Sequence, residues 1–444
     1  FSNVEVDRQV TNLSRFSLFF PERRDFFLEN SDLFGSFGIN DINPFFSRKI
    51  GLNNGALIPI KYGARLSGNL NNGLRIGLMS IQTASQDNLP AQNFSVATFQ
   101  QRVGQRSSIK GLFVNRERTD QAGELGTKFN RVAALEGSLL SPNGKVAVDF
   151  GAHKSFNTER LSNEEYFNFS FRYSAKKVFA RVSAHRVGEN YLTDVGFVPR
   201  LNNYDVDNEQ IVRLGYYQMA NTLVYNIFPK SGKINLHGPR FNATIRLNDD
   251  GSLNEQWAGL FYYISFKDQS SLELRLVDNE VNLPFSTLII GDTPLPATTY
   301  DNNQLGFWYR TNPRKPISGR VELASGGFYG GTRVTMGGSL NYRIQPWANF
   351  GLSYNYNTID MPIGFESAKL HLIGPKAEIS FSNKMFWTTF LQYNTQIENF
   401  NLNSRFQWRF RPMSDLFIVY TDNYATHDFS VKNRGIVLKI NYWL

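Results

Sequence analysis

The chain has 444 residues, 41% hydrophobic and 14% aromatic, with 38 Phe, 20 Tyr and a formal net charge of +9. The absence of cysteine excludes disulfide frameworks, thiolate metal sites and a cysteine nucleophile. No stretch approaches the roughly 18 consecutive apolar residues of a membrane-spanning helix, so any span must be built from strands.

The opening Phe1-Ser-Asn-Val4 carries neither the charged nor the apolar region of a signal peptide and reads as mid-sequence. Residues 1–43 mix paired aromatics with dense charge and show no period, most clearly from Arg15 to Phe34. This texture predicts a barrel-mouth linker or a short plug carrying Glu22, Arg23, Arg24, Asp25, Glu29 and Asp32, whose carboxylates meet a basic lumen.

From Pro44 to Leu444 the chain repeats a run of alternation followed by a turn. In Tyr166 to Tyr173, Phe167, Phe169 and Phe171 oppose Asn168, Ser170 and Arg172; Phe350 to Asn357 behaves alike. In Leu402 to Arg411, Leu402, Phe406, Trp408 and Phe410 alternate with Asn403, Arg405, Gln407, Arg409 and Arg411. A helix would scatter these arginines around its circumference, whereas a strand puts them on one face.

Connections alternate as well. Asn69 to Gly73, Ser141 to Lys145, Gln345-Pro-Trp347 and Ser382-Asn-Lys384 have tight-turn chemistry, while Arg116 to Lys128, Val187 to Asn208 and Glu280 to Thr299 are long. Short turns at one rim and long loops at the other mark an up-and-down transmembrane β-barrel of the bacterial outer membrane, with periplasmic turns and extracellular loops. Counting runs predicts about 22 strands, between roughly 18 and 24, with Gln210 to Pro229 and Phe45 to Leu52 the hardest to divide. The closing run, Gly435 to Leu444, is apolar at Ile436, Leu438, Ile440, Tyr442 and Leu444; Trp443 falls on the inward side.

Asp32-Leu-Phe34, Pro44-Phe-Phe-Ser-Arg-Lys-Ile-Gly51 and Ile58-Pro-Ile-Lys-Tyr-Gly-Ala-Arg-Leu-Ser-Gly68 resemble a family of uncharacterised Gram-negative outer-membrane barrels. Members of that family typically carry an N-terminal module similar to family-nine carbohydrate-binding domains. The resemblance covers Asn12 to Thr83, implies the barrel, and implies that such a module lies upstream of Phe1. It implies no activity.

Alternation places Arg65, Arg102, Arg172, Arg181, Arg246, Arg275, Arg320, Arg343, Lys376, Arg405, Arg409, Arg411 and Lys439 inward, against Glu136, Asp149, Glu273, Glu322 and Glu378. Basic rings favour anions, and the alternative is pairing with the plug or across strands. His153 and His185 could share the lumen with Asp149 and Ser183, but no nucleophile motif accompanies them, and no enzyme is expected. Asp205 to Glu209 lacks the Gly and the terminal Glu of a calcium loop, Gly326 to Gly331 reads as a hairpin tip, and Pro375 as a bulge or strand end. The expectation is a passive or plug-gated conduit for anionic or polar solutes, a class that takes in glycan-derived ones. It uses no cofactor and contacts lipid and lipopolysaccharide but no nucleic acid. The alternative is a non-conducting barrel that anchors a soluble domain or joins a multi-protein outer-membrane complex.

Overall fold

The structure is a computed structural model and describes residues 7–39, 42–53, 56–86, 89–120, 128–159 and 161–443. Twenty-two strands follow one another in chain order around a closed barrel, from Ile60–Asn69 to Val431–Asn441. Two of them, Thr299–Asp301 and Gln304–Arg310, both pair with Ser271–Asn282 and share one position in the wall. No described helix is long and apolar enough to cross a membrane. Short connections such as 70–73, 104–106 and 175–177 gather at the periplasmic end, and long ones such as 188–215 and 283–298 at the extracellular end.

Alternation explains the wall. Leu66 stands opposite Leu78, and Phe150 opposite Phe169, all exposed on the outer face, where lipid replaces water. The last strand repeats this, Leu416, Ile418 and Tyr420 facing Ile440, Leu438 and Ile436. Leu444 lies outside the described residues. Trp443 follows the strand end at Asn441 and is exposed.

Three expectations change in detail. The barrel begins at Ile60 rather than Pro44, because Phe45 and Ile50 are buried with residues 27–37, and Leu52–Asn53 pairs with Ala56–Leu57 instead of with the wall. Gln210–Arg213 pairs with Asn202–Asp205 in a loop hairpin, which leaves Tyr216–Tyr225 as the wall strand. Pro375 marks neither a bulge nor an end: it sits within Ala368–Ser380 opposite Leu352, but on its other side the ladder to Met385–Asn394 skips from Ile373 to Lys376 without a register shift. The glycine-rich run does form a hairpin tip, at Tyr329 and Gly330, both at positive φ (47° and 84°) as a two-residue turn of matching twist requires.

The chain forms two compact units. One comprises Arg15–Val224 and Asn242–Gln256; the other contains residues 7–14, Tyr225–Phe241 and the chain from Trp257.

Candidate functional site

In the first unit the inner face of the wall carries an apolar patch. One cross-strand row runs Arg65, Met79, Val96, Val114, Val132, and a neighbouring row Gly77, Thr98, Leu112, Ala134, His153. Against these rows packs the N-terminal segment. Phe27, Leu33, Phe34, Phe37, Ile42, Phe45 and Ile50 form one buried cluster with Met79, Ile81, Phe94, Val96, Leu112, Val114 and Val132. Each such side chain contributes about 1.5–3 kcal/mol when fully buried. Phe34 fits because Gly77 has no side chain; a Cβ there would lie 2.7 Å from the Phe34 ring.

Polar contacts fix the segment's register. The Thr98 hydroxyl donates to the Leu33 carbonyl at 2.9 Å, and the Gly38 and Ile39 amides donate to Glu136 Oε1 (2.7 Å) and the Tyr166 hydroxyl (3.1 Å). Glu136 also receives Lys110 Nζ at 2.9 Å and lies 2.9 Å from His153 Nε2, whose Nδ1 is 3.1 Å from the Tyr191 hydroxyl. Tyr191, Val195 and Leu201 of the 188–215 loop join the same core, and Asn43 exchanges two backbone hydrogen bonds with Phe197. The long loop therefore folds onto the segment from the extracellular side.

Of the charged segment residues, Glu29 meets Arg65 at 2.9 Å and Asp32 meets Arg75 at 2.6 Å. Glu22 does not reach the wall. It holds Arg24 at 2.7 Å and accepts from Ser47 Oγ at 2.7 Å, while Arg24 donates to the Ile50 and Ser47 carbonyls, each at 2.8 Å. This brace is local because Arg24 is two residues from Glu22 and bridges it to the chain's return. Asp25 opens the short helix Asp25–Leu28, and Arg23 precedes it beside the brace.

The Arg75 hydrogen bond holds the Asp32 carboxyl below its ordinary 3.8. Burial raises that of Glu22, but hydrogen bonds from Arg24 and Ser47 outweigh it and leave the group below 4.5. Both folded values are depressed, so the stabilisation is complete above the ordinary values and is lost as pH falls through the folded ones. Hydrogen–deuterium exchange of residues 22–36 should accelerate as pH falls from neutral to below about 4, after correction for intrinsic rates. E22Q/D32N should be fast already at the higher pH; a segment insensitive to both changes would contradict the assignment.

The inward cations are mostly neutralised. Arg246 pairs with Glu255 at 3.0 Å, Arg275 and Arg320 share Glu322 at 2.8 and 2.9 Å, Lys376 meets Glu378 at 2.6 Å and Arg409 meets Asp415 at 3.1 Å. Arg181 bonds the Ser170 hydroxyl at 3.1 Å, and Arg343 caps the carbonyls of Pro313 and Lys315 at a periplasmic turn. Past a bulge that follows Arg409, Arg411 lies over the Tyr442 ring, 5.6 Å from its centroid, so simple alternation no longer fixes its side. Arg405 lines a cavity with Glu378 and Gln407, and Lys439 stands opposite Phe417. Arg102 and Arg172, near the periplasmic turns, are exposed with no carboxylate partner among the described residues. Sequence reading missed Glu255 and Asp415, which stand on an inward parity that more careful face assignment would have recovered, and Asp422, which pairs with Arg434 at 2.8 Å on the parity of Leu416, Ile418 and Tyr420.

The histidines do not assemble a triad. Asp149 accepts from Ser138 at 2.7 Å, the Ser183 hydroxyl is 3.5 Å from the Ala220 carbonyl, and His185 packs between Tyr166 and Tyr216 rings. No cluster of metal-binding side chains occurs among the described residues. In the second unit, Gln392 and Gln396 clasp residues 7–12: Gln392 Nε2 donates to the Asp7 carbonyl and its Oε1 accepts from the Gln9 amide, while Gln396 does the same for Asn12.

Residues 1–69, the inner segment plus the first wall strand, match a family described as a domain of unknown function, DUF5916. No curated protein matches the sequence. Among solved structures the chain is similar to the siderophore receptor PirA of Pseudomonas aeruginosa, at 11% identity over 84% of this chain and 73% of that one, TM-score 0.52. It is similar also to a variant of the ferric enterobactin receptor PfeA of the same organism, at 11% identity over 83% and 71%, TM-score 0.50. The fold is that of a bacterial outer-membrane β-barrel. Its exposed apolar outer face suits contact with membrane lipid.

Proposed function

We propose that the protein is a plug-gated conduit across the outer membrane for anionic or polar solutes, with residues 15–58 as the gate. The observation that carries this reading is the composite seat of that segment, an apolar core edged by ion pairs to the wall. Magnitudes favour a closed resting state. Glu29 and Asp32 are more than half exposed, so their pairs contribute about 0–1 kcal/mol each, far less than the core. The similarity to barrels named as receptors supports transport rather than catalysis, and the family resemblance brings glycan-derived solutes into the class. A fixed barrel that anchors a soluble domain or serves a complex differs in one respect: its core never parts.

Planar-bilayer recording tests the reading. The intact chain should be silent or rarely open, and a chain lacking residues 7–58 should conduct. In the open form, R102S/R172S should move the reversal potential toward cations, because these are cations with no carboxylate to cancel them. A silent barrel even without the segment would favour the fixed-barrel alternative.

A further inference from the structure

Leu18, Phe20 and residues 46–52 do not close completely against the extracellular ends of Leu74–Thr83, Gln92–Val103 and Ser107–Arg118; a cavity of about 570 Å³ remains. That volume falls within the range of small-molecule sites. Its lining has two chemistries. Phe20, Phe46, Phe94 and Phe197 give aromatic walls, with Phe46 and Phe197 edge-to-face at 6.0 Å. Arg48, Lys49, Arg116 and Arg118 face a single lining carboxylate, Asp194, which is already bound by Arg116.

Lys49 is the informative residue. Its exposed side chain lines the cavity, and no acceptor lies within hydrogen-bonding distance of its ammonium among the described residues. An ammonium with no protein acceptor can donate to an anion that enters the cavity.

We propose that this cavity binds an amphipathic aromatic polyanion arriving from the extracellular side. The flat body lies against Phe46 and Phe197, and one anionic group is held by Lys49. The inference deepens the conduit reading by naming the class of solute that meets the gate first. Because the cavity's floor is the gate itself, through Phe46, Lys49 and Gly51, occupancy and gate position are mechanically joined.

The test is calorimetric titration of the whole chain in lipid nanodiscs with naphthalene trisulfonate. Saturable binding is expected, weaker by about tenfold or more in Lys49→Met, as for loss of one charge-assisted contact, and largely kept in Lys49→Arg. Cyclohexane tricarboxylate and naphthalene monosulfonate should each bind more weakly than the aromatic trianion. Unchanged exchange protection of residues 22–36 in Lys49→Met would show that the gate remains docked. Absent binding, or binding indifferent to Lys49→Met, overturns the site, and equal affinity for the aliphatic trianion overturns its aromatic character. Binding without conductance in any variant would leave the site and remove the conduit, whereas conductance without binding would do the reverse.

Discussion

Phe34→Asp should turn a silent barrel into a conducting one. Phe34 is 2% exposed and its ring lies against Gly77 in the wall. Truncating a buried phenylalanine costs about 3–5 kcal/mol, and a carboxylate in its place adds the desolvation of an unpaired charge. The half-exposed ion pairs at the edge cannot offset that loss. The segment should leave its seat while the wall, whose strand-to-strand ladders run from Ile60–Asn69 onward without it, persists. Three measurements follow: steady single-channel current, new tryptic cleavage after Arg23 or Arg24, and unchanged far-ultraviolet strand signal. Gly77→Val attacks the same contact from the wall, since its Cβ would lie 2.7 Å from Phe34 and 2.8 Å from Thr98. If both variants stay silent and resistant to trypsin, Phe34 does not hold the gate.

Glu136→Ala should be the most damaging single change in the polar seat. Glu136 is 7% exposed and serves Lys110, His153 and the Gly38 amide at once. Removing it leaves the Gly38 amide and His153 without their acceptor, while the partly exposed Lys110 keeps the Ser36 carbonyl, a loss of about 1–3 kcal/mol. Equilibrium unfolding in denaturant should show it, and Lys110→Met should recover part of the loss in a double-mutant cycle. A change within about 0.5 kcal/mol would place the network outside the cooperative core.

The wall was legible because lipid outside and water or protein inside impose a period of two. Leu402 to Arg411 lies within the strand Asn399–Arg411, and Tyr166 to Tyr173 within Glu165–Ser174. The seat of the inner segment was less legible, for a physical reason. Alternation assigns apolar residues outward and polar residues inward, but Leu112, Phe113 and Val114 are apolar on both faces, as are Val132, Ala134 and Leu135. A run apolar on both faces signals a wall covered on both, and that signal was present in the sequence. The charge balance failed differently. Arg246 and Arg409 pair with Glu255 and Asp415, carboxylates that the reading by alternation left out, so an apparent basic excess was partly a sum over half of each pair. Glu22 illustrates a third limit: a carboxylate two residues from an arginine had a nearer partner than any lumenal cation.

The strands that are apolar on both faces matter before the barrel exists. A chain crossing the periplasm unfolded would carry Leu112 to Val114 and Val132 to Leu135 as sticky patches with no polar side to present to water. Holdase chaperones should bind there in preference to the strictly alternating stretch Asn399 to Arg411. The segment that finally covers them is made earlier in the same polypeptide, so the cover is already tethered nearby when those strands emerge. What serves the finished molecule as a stopper would then serve the nascent one as its own shield against aggregation.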